Sequence, residues 1–415
     1  MTEHDIVIIG GGPAGMAAAV AAYDRGITDV VILDREAQLG GILRQCIHNG
    51  FGLHKLGREL TGPEYAAAYA EMVEKRNIPV YYETMVTSLS SDRVVTTQNR
   101  EGILKIRAKA VILAMGCRER SRGALNICGT RPAGIYSAGT AQKLINCQGY
   151  LVGKKVVILG SGDIGLIMAR RMSLEGAKVE AVCELMPYSG GLTRNIVQCL
   201  EDFGIPLYLS TTVVEIHGAR RVEGVTVAQV DENRQVMEET KRYITCDTLL
   251  LSVGLIPENE LTRGAGIPMD PITGGALVDD CCQTAVPGIF ACGNVLQVHD
   301  LVDYVSEEAE RAGIAAAELI LENVQNSDTI STHAGYGVRY VIPQRLHKQR
   351  DTSLFFRVEK PFGAVKFVVS DSNGILATAK RQKAAPGEME KITLKASLLA
   401  KAKGDLTLWV EEDAT

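Results

Sequence analysis

The chain has 415 residues, of which 46% are hydrophobic and 22% are charged. This length exceeds what one compact core holds, so two or three domains are expected. A net charge of −5 at pH 7 gives no polycationic surface, which argues against nucleic acid as a partner. No apolar run reaches the ~18 residues of a membrane span. The start, "MTEHDIVIIGGGPAG", lacks the basic region of a signal peptide.

Ten cysteines are scattered along the chain, and none forms a C-x-x-C pair. Several lie in apolar runs, such as Cys183 in "KVEAVCE" and Cys292 in "GIFACGN", where small buried thiols are expected. This usage predicts that the protein works in a reducing cytoplasm. Because no Cys and His residues have ligand spacing, the sequence predicts no metal site.

The N-terminal stretch predicts a buried strand, a glycine-rich turn, an Ala-rich helix and a second buried strand. The turn contains G-x-G-x-x-G at Gly10, Gly12 and Gly15. Gly10 permits the tight turn, Gly12 lets backbone amides approach a pyrophosphate, and Gly15 lets helix and strand pack closely. Asp34, at the end of the second strand, is placed to bond a ribose diol. Together these features predict a dinucleotide-binding fold.

The same unit recurs 150 residues later, as the strand "KKVVILG", the helix "SGDIGLIMARRMSLEGA" and the strand "KVEAVCE". Gly160, Gly162 and Gly165 repeat the glycine motif, and Glu184 stands in the place of the terminal Asp. Such a duplication is the main organisational feature of the chain. Two units of this kind imply two dinucleotides on one chain.

Glu184 also bears on the choice of nucleotide. A carboxylate at this position repels a 2′-phosphate and bonds a free 2′-hydroxyl, which favours NAD over NADP. The residues that follow, "LMPYSGG", contain no arginine. Arg194 is the nearest basic residue downstream, and it would weaken the preference if it folds back.

Other segments complete the predicted layout. Residues 62–77 predict a helix with Pro63 in its first turn. Alternating runs predict a small antiparallel layer up to about residue 107 and a second meander over 206–252. The stretch "DYVSEEAERAGIAAAELILENV", residues 303–324, predicts a long helix. Past residue 328, six short alternating runs, among them "GVRYVIPQRL" (337–346) and "EKITLKASL" (390–398), predict a small β domain.

Five ordered motifs carry a family resemblance: "DIVIIGGGPAG", "AVILAMG", "VVILGSGDIG", "SVGLIPEN" and "TAVPGIFACGN". They resemble the two-dinucleotide-fold flavoproteins of the pyridine nucleotide-disulfide oxidoreductase superfamily, over about residues 1–325. The resemblance implies an α/β fold with two Rossmann-like domains. It implies a discontinuous FAD-binding domain (1–118 and 254–328) and an NAD-binding domain (119–253). The β-rich C-terminal domain (329–415) lies outside the family pattern.

The resemblance also implies site residues, by position in the motifs. FAD would be held by Gly10, Gly12, Pro13, Ala14, Gly15, Asp34, Arg35, Gly41, Ala114, Gly116, Gly293, Asn294 and Asp303. NAD(H) would be held by Gly160, Gly162, Asp163, Ile164, Gly165, Glu184 and Gly254. The family usually has Asp where this chain has Asn294, which keeps a hydrogen-bonding side chain and removes a charge.

The stretch "GGILRQCIHNGFG" is where the family's disulfide reductases have two redox cysteines. On their pattern, Leu43 and His48 take the two cysteine positions, so a dithiol relay is excluded here. Cys46 is left as a lone thiol, which would be either a sulfenate-cycling residue or, as we favour, a spacer in a loop beneath the flavin. His48 would either bond the flavin and shuttle a proton or satisfy loop carbonyls. Both are candidate catalytic residues.

The long helix is expected to aim its N-terminus at the flavin edge that gains negative charge on reduction. Ordinary N-capping by Asp303 and Ser306 is a compatible alternative. His299 and Asp300, just before this helix, have the same ambiguity as His48.

Three further stretches resemble the FAD/NAD subunits of multicomponent bacterial dehydrogenases: "GTRPAGIYSAGTAQKL", "GGILRQCIHNGFG" and "NVLQVHDLVDYVSEEAE". Such subunits include those of opine oxidase, hydrogen cyanide synthase, heteromeric proline dehydrogenase and sarcosine oxidase, and flavoproteins associated with glycerol-3-phosphate dehydrogenase. The resemblance implies an FAD-dependent NAD(H) oxidoreductase that exchanges electrons with a second redox subunit, either a flavoprotein or a small Cys-containing protein. The alternatives are a stand-alone NADH oxidase or peroxidase and a non-catalytic FAD-binding assembly subunit.

Overall fold

The structure is a computed structural model, and it describes residues 1–322 and 329–412. The chain divides into two compact units: Met1–Cys117 with Pro257–Thr415, and Arg118–Ile256. The first unit is therefore discontinuous in sequence, and its breaks lie close to the predicted domain boundaries. The C-terminal β-rich segment belongs to this first unit, although it has a hydrophobic cluster of its own. Its separation as a third domain stays a prediction.

Helices and strands alternate through most of the chain. The helices are α1 (Pro13–Asp24), α2 (Gly62–Lys75), α3 (Ala138–Gln148), α4 (Asp163–Leu174), α5 (Thr193–Cys199), α6 (Glu260–Gly264), α7 (Val302–Glu322) and α8 (Ala396–Leu399). The strands before the second glycine motif are β1 (Thr2–Ile9), β2 (Val30–Leu33), β3 (Asn49–Phe51), β4 (Leu60–Thr61), β5 (Val80–Tyr81), β6 (Met85–Leu89), β7 (Val94–Asn99), β8 (Gly102–Leu113), β9 (Cys117–Glu119), β10 (Cys128–Gly129), β11 (Ile135–Ser137) and β12 (Lys155–Leu159). The later strands are β13 (Lys178–Cys183), β14 (Leu207–Tyr208), β15 (Thr211–His217), β16 (Gly224–Gln229), β17 (Arg242–Thr245), β18 (Thr248–Leu251), β19 (Leu255–Pro257), β20 (Ile289–Ala291), β21 (Thr329–Ala334), β22 (Val338–Ile342), β23 (Arg345–His347), β24 (Thr352–Val358), β25 (Val365–Asp371), β26 (Gly374–Arg381), β27 (Glu390–Leu394) and β28 (Leu406–Glu412).

The first unit is built on a mixed sheet of order β5-β2-β1-β8-β7-β6, with β20 also paired to β8. β5, β2, β1, β8 and β20 are parallel, and β7 and β6 add the predicted antiparallel layer. The strand order reverses at β1, because β2 and β8 lie on its two sides. In sheets of this type, ligands bind beyond the carboxyl ends of the strands at such a reversal.

Helices α1 and α7 pack together in the core of this unit. Most of α1 is buried, and its alanines allow a close approach. A Cβ added to Gly313 of α7 would lie 2.3 Å from the carbonyl oxygen of Ala18, so only glycine fits at this crossing. β1 is buried from Ile6 to Ile9, as expected of a parallel strand covered on both faces.

The second unit repeats the parallel arrangement with the order β11-β18-β12-β13-β14. The strand order reverses at β12, between β18 and β13. Helices α3 and α4 and the end of α5 cover one face, and a second sheet of order β10-β15-β16-β17 contains most of the predicted meander. The α/β fold with two Rossmann-like units is confirmed.

Several predicted bounds are corrected by the structure. The predicted strand over 337–346 is two strands, β22 and β23, because Pro343 between them has no N–H for a ladder. The predicted strand over 390–398 ends in the short helix α8. The predicted helix over 303–324 begins one residue earlier, at Val302, and residues 323–324 lie outside the described residues.

Candidate functional site

The first glycine motif forms a tight turn between β1 and α1, which we call the first cradle (residues 10–15). Gly10 has φ +109°, and an added Cβ would lie 2.4 Å from the carbonyl oxygen of Ala114. A Cβ on Gly15 would lie 1.8 Å from the carbonyl oxygen of Gly10, whereas a Cβ on Gly12 would meet nothing within 4 Å. Two of these glycines are therefore required by packing, and the third leaves open space above the start of a helix.

Helix α1 begins at Pro13 and Ala14, and no side chain caps it. Proline at this position forgoes no helical hydrogen bond, because the first amides of a helix have no partner inside the helix. Gly41 adds to the cradle from the next loop, since its Cβ position lies 3.1 Å from the Cα of Gly12. The uncapped helix end and the space above Gly12 form the kind of site that binds a phosphate.

Asp34 is buried at the end of β2, and its carboxylate ties the first cradle to the following loop. Oδ2 accepts a hydrogen bond from the amide of Gly11 (2.5 Å), and Oδ1 accepts one from the amide of Glu36 (2.8 Å). Burial raises the pKa of Asp34, although the two amide bonds oppose this shift. Arg35, which follows it, is exposed.

The second glycine motif builds the same turn between β12 and α4, which we call the second cradle (residues 160–165). Gly160 has φ +96°, and an added Cβ would lie 2.1 Å from the carbonyl oxygen of Ser252. A Cβ on Gly165 would lie 2.7 Å from the Cβ of the same serine. Gly162 is the N-cap of α4, and no side chain caps it.

Glu184 repeats the role of Asp34 with an additional contact. Oε2 accepts hydrogen bonds from the amide and the hydroxyl of Ser161 (2.9 and 2.7 Å), and Oε1 accepts one from the amide of Met186 (2.9 Å). Each partner lies 150 residues after its counterpart in the first cradle. The duplication seen in the sequence therefore extends to individual hydrogen bonds.

The first turn of α4 contains Asp163 and Ile164, two predicted NAD-binding residues. Asp163 Oδ1 accepts hydrogen bonds from the amide of Leu192 (2.8 Å) and from Nδ2 of Asn195 (2.6 Å). In this structure the Asp163 carboxylate therefore positions the loop before α5, a role that the sequence did not indicate. Arg194 is exposed on that segment.

Three further predicted cofactor-binding positions lie where strands end. The amide of Ala114, just after β8, donates to the carbonyl oxygen of Ile9 (2.9 Å). Gly116 and Gly254 both have positive φ, +72° and +101°, which favours glycine. Ala114 and Gly116 lie in the first unit and Gly254 lies in the second. A cofactor role for these residues stays a prediction.

Gly293 and Asn294, which we call the second FAD motif, follow β20. Gly293 has φ +71°, and its amide donates to Glu308 Oε1 (2.7 Å). The Asn294 side chain accepts from the amide of His299 (3.1 Å) and lies 3.6 Å from the sulfur of Cys117. The side-chain amide of Asn294 thus folds the following loop back on itself and also donates on its other side, which an Asp carboxylate could not do.

Glu308 is a residue of this site that the sequence analysis missed. It is 1% exposed in α7, and its Oε2 accepts from Gln297 (2.9 Å) and lies 3.4 Å from His299 Nε2. The latter pair is in electrostatic range, although its geometry is not that of a hydrogen bond. Burial alone would raise the pKa of Glu308, but the charge of His299 and its other polar neighbours hold that pKa below the usual value. The sequence feature that could have revealed Glu308 is its position among the residues of the helix's apolar face.

Asp303 is predicted to lie near the flavin, a role that stays a prediction, and in the structure its carboxylate binds backbone amides. Its carboxylate accepts hydrogen bonds from the amides of Gly52 (3.2 Å), His54 (3.1 Å) and Lys55 (2.7 Å). Ser306 hydrogen bonds to the hydroxyl of Tyr65 (2.7 Å). These side chains bind distant residues because both are buried where other segments cross α7, and the N-capping alternative stays a prediction.

The loop with the missing redox cysteines lies next to this helix. Leu43, at the first cysteine position, is buried in the core of the first unit. Cys46 ends a 3-10 turn that begins at Gly41, and its thiol donates to the carbonyl oxygen of Ile42 (3.4 Å). The ring of His48 packs 5.0 Å from that of Phe51. A catalytic role of Cys46 or His48 stays a prediction.

The C-terminal segment packs on the start of α7. Tyr304 lies edge-on to Phe355 of β24, with ring centroids 5.9 Å apart, and stacks on His54 at 6.4 Å. Lys391 of β27 donates to Glu307 (2.6 Å) and lies over the Tyr304 ring. These contacts place the β-rich segment against the same helix end that is expected to face the flavin.

The fold and its two cradles define a protein with two dinucleotide-binding folds. The family model for pyridine nucleotide-disulphide oxidoreductases matches residues 4–318, and the chain belongs to this family. It is therefore an FAD-dependent pyridine nucleotide oxidoreductase. In the part of the chain that the structure describes, no helix has the length and hydropathy to cross a membrane.

Curated relatives include two components of multicomponent enzymes. An opine oxidase subunit of Agrobacterium tumefaciens is 25% identical over 79% of this chain and 68% of its own length. Hydrogen cyanide synthase subunit HcnB of Pseudomonas aeruginosa is 26% identical over 76% of this chain and 70% of its own. Among solved structures, thioredoxin reductase of T. acidophilum matches with a TM-score of 0.64 and 26% identity, over 77% of this chain and 99% of its own.

Proposed function

We propose that the chain binds FAD in the first cradle and NAD(H) in the second, and that it serves as the electron-transfer subunit of a multicomponent dehydrogenase. The observation that carries this proposal is the pair of acids, Asp34 and Glu184, each bonded to the turn of its own cradle. Cofactors bound at such sites would supply hydride transfer between nicotinamide and flavin.

The chain's own residues would bind the two cofactors and orient them. The first cradle supplies backbone amides and a helix N-terminus to a pyrophosphate, and the open space above Gly12 fits this group. Asp34 has lone pairs left for ribose hydroxyls after its two amide bonds, because each carboxylate oxygen accepts two. Glu184 has the same capacity in the second cradle, and its charge disfavours a 2′-phosphate.

The route for electrons leaving the flavin is what distinguishes this chain from the disulfide reductases. Leu43 and His48 stand where those enzymes have cysteines, so no dithiol at this loop accepts electrons. An external redox partner then has to exchange electrons with the flavin. The names of two relatives, each one component of a larger oxidase or synthase, support such a partner.

The choice of NAD is tested by replacing Glu184. In the wild type we expect NADH to reduce the flavin with much higher kcat/KM than NADPH does. Glu184→Gln keeps the hydrogen bonds to Ser161 in part and removes the charge. The ratio of kcat/KM with NADPH to kcat/KM with NADH should therefore rise by about tenfold, because one charge contact is worth roughly 1–2 kcal/mol. Glu180→Gln, on the same strand, is the matched control. Equal use of both nucleotides by the wild type would contradict the proposed NAD preference.

The partner is tested by affinity purification of the chain from its native cells in the presence of FAD. We expect a second redox protein to be recovered in fixed stoichiometry, and addition of that protein to raise substrate-dependent NAD reduction. If the chain alone consumes oxygen or peroxide rapidly and no partner is recovered, the stand-alone oxidase or peroxidase is the correct function.

A further inference from the structure

Asp280, Cys281 and His347 come together in the first unit and share no residue with the first cradle. A carboxylate oxygen of Asp280, the sulfur of Cys281 and a ring nitrogen of His347 all lie within 4.8 Å of one another. The side chains of Asp280 and His347 are 1% and 5% exposed, and Cys281 is half-buried. Because His347 lies in β23, far from the other two in sequence, no ligand spacing could reveal this group.

The group is held in place by hydrogen bonds from outside it. Asp280 Oδ2 accepts from the hydroxyl of Thr352 (2.7 Å) and from the amide of His347 (3.2 Å). Nη1 of Arg350 lies 3.2 Å from the sulfur of Cys281 and donates to it. Outer hydrogen bonds of this kind orient the ligands of metal sites and raise their affinity.

Thiolate, imidazole and carboxylate together are a donor set that suits zinc. Ligand atoms of one tetrahedral zinc lie about 3.3–3.7 Å apart, from bonds of roughly 2.0–2.3 Å. Oδ1 of Asp280 and Nδ1 of His347 are 2.5 Å apart and share a hydrogen bond, so they would separate by about 1 Å to admit the ion. The other two separations within the group are at most 4.8 Å, about 1 Å beyond the required span.

We propose that Asp280, Cys281 and His347 bind one zinc ion, with water in the fourth position. The ion fastens β23 of the C-terminal segment to the turn that precedes β20 and the second FAD motif. Binding of the ion releases to water the proton that Asp280 and His347 share in the metal-free protein and the proton of the Cys281 thiol. The proposed site shares no residue with either cradle, and its failure would leave the proposed function unaffected.

The test uses the full-length protein with its flavin. The protein is stripped with a chelator and titrated with Zn²⁺ against a chromogenic competitor, and bound metal is counted by mass spectrometry. We expect one equivalent with Kd below about 1 μM. Cys281→Ser and His347→Gln should each weaken binding at least 100-fold, and Thr352→Val, which keeps all three ligands, should weaken it by about 10–100-fold.

Two matched controls separate this site from adventitious binding. Cys282→Ser changes the neighbouring thiol, which lies 3.7 Å from the carbonyl oxygen of Glu308, and His333→Gln changes an exposed histidine that pairs with Asp405. Both should bind zinc as the wild type does. Co²⁺ in place of zinc should give sulfur-to-metal charge transfer that Cys281→Ser abolishes. Wild-type protein that binds no equivalent below about 10 μM, or binding unchanged in Cys281→Ser, overturns the proposal.

Discussion

The guanidinium of Arg357, on β24, donates to the carboxylate of Asp300, in the loop between the second FAD motif and α7. The same guanidinium donates to the carbonyl oxygens of Val298 (3.1 Å) and Gly387 (2.6 Å), and the amide of Met389 donates to the other oxygen of Asp300 (2.6 Å). The C-terminal segment thus holds the loop that leads into α7. This contact gives a structural role to a segment that the family pattern does not include.

Replacing Arg357 with Met should destabilise the first unit, because it leaves the carboxylate of Asp300 buried and unpaired. The two side chains are only 13% and 12% exposed. Breaking a buried pair by removing one partner costs about 3–5 kcal/mol of the free energy of unfolding. Urea unfolding followed by circular dichroism measures this. Arg100→Met, which breaks an exposed pair with Glu83, should cost less than about 1 kcal/mol and serves as control. Equal effects of the two variants would contradict the assigned role.

The glycines of the first cradle should separate folding from cofactor binding. A Cβ at Gly15 collides with the carbonyl oxygen of Gly10, so Gly15→Ala should yield little folded protein. A Cβ at Gly12 meets no protein atom within 4 Å, so Gly12→Ala should fold and yet lose FAD, by about 100-fold or more in Kd, because the methyl occupies the proposed phosphate site. Flavin absorbance of the purified variants measures the outcome. Full FAD retention by Gly12→Ala would refute the site.

The corresponding substitution in the second cradle gives an independent prediction. Gly162→Ala should retain FAD and lose flavin reduction by NADH. The added methyl group occupies the proposed phosphate site of the second cradle and leaves that of the first cradle open. Rapid mixing of the variant with NADH, followed at the flavin band, measures this. If Gly162→Ala loses FAD instead, the assignment of the two cofactors to the two cradles is reversed.

The pH dependence of stability should carry the signature of Glu308. Its folded-state pKa lies below the ordinary value of 4.5, so the ionised form is favoured in the folded protein. Its contribution is therefore fully present above the unfolded pKa and is lost as pH falls through the folded pKa. Glu308→Gln should be less stable than the wild type at pH 7, and the difference should shrink below about pH 4.5. Urea midpoints between about pH 7 and pH 3 check this, and a constant difference across the range would contradict it.

Cys46→Ser should leave hydride transfer from NADH to the flavin unchanged, within about twofold. The thiol donates to a backbone carbonyl of its own turn, as a hydroxyl at this position would also do. Stopped-flow reduction and peroxide consumption are both measured. Loss of peroxide turnover in the variant, with flavin reduction intact, would favour the stand-alone peroxidase instead.

The two cradles could be predicted from the sequence because each is determined by residues close together in the chain. Glycines at positive φ or at a close approach, a following Ala-rich helix and an acid at the end of the next strand leave few alternatives. The parallel strands could also be predicted from the sequence, since their buried runs are short and continuous. The corrected bounds lie where Pro343 interrupts a ladder and where β27 gives way to α8.

The rest depended on contacts between residues far apart in sequence. In the sequence, Glu308 and Asp303 are two acidic residues of a predicted helix, and only the packing of loops against α7 reveals that both are buried acceptors of amide hydrogen bonds. Arg357 and His347 lie in a segment without family motifs, so nothing local indicated Asp300 or Asp280 as partners. Motif and ligand spacings relate only residues that are close together in the chain.

The most direct test of the central proposal is an anaerobic titration of the purified chain, with FAD bound, by NADH. We predict that about one equivalent of NADH per flavin bleaches the oxidised flavin band, and that NADPH does so far more slowly. A chain that holds FAD and keeps it oxidised under excess NADH would contradict hydride transfer between the two cradles' cofactors and would favour a non-catalytic role in assembly.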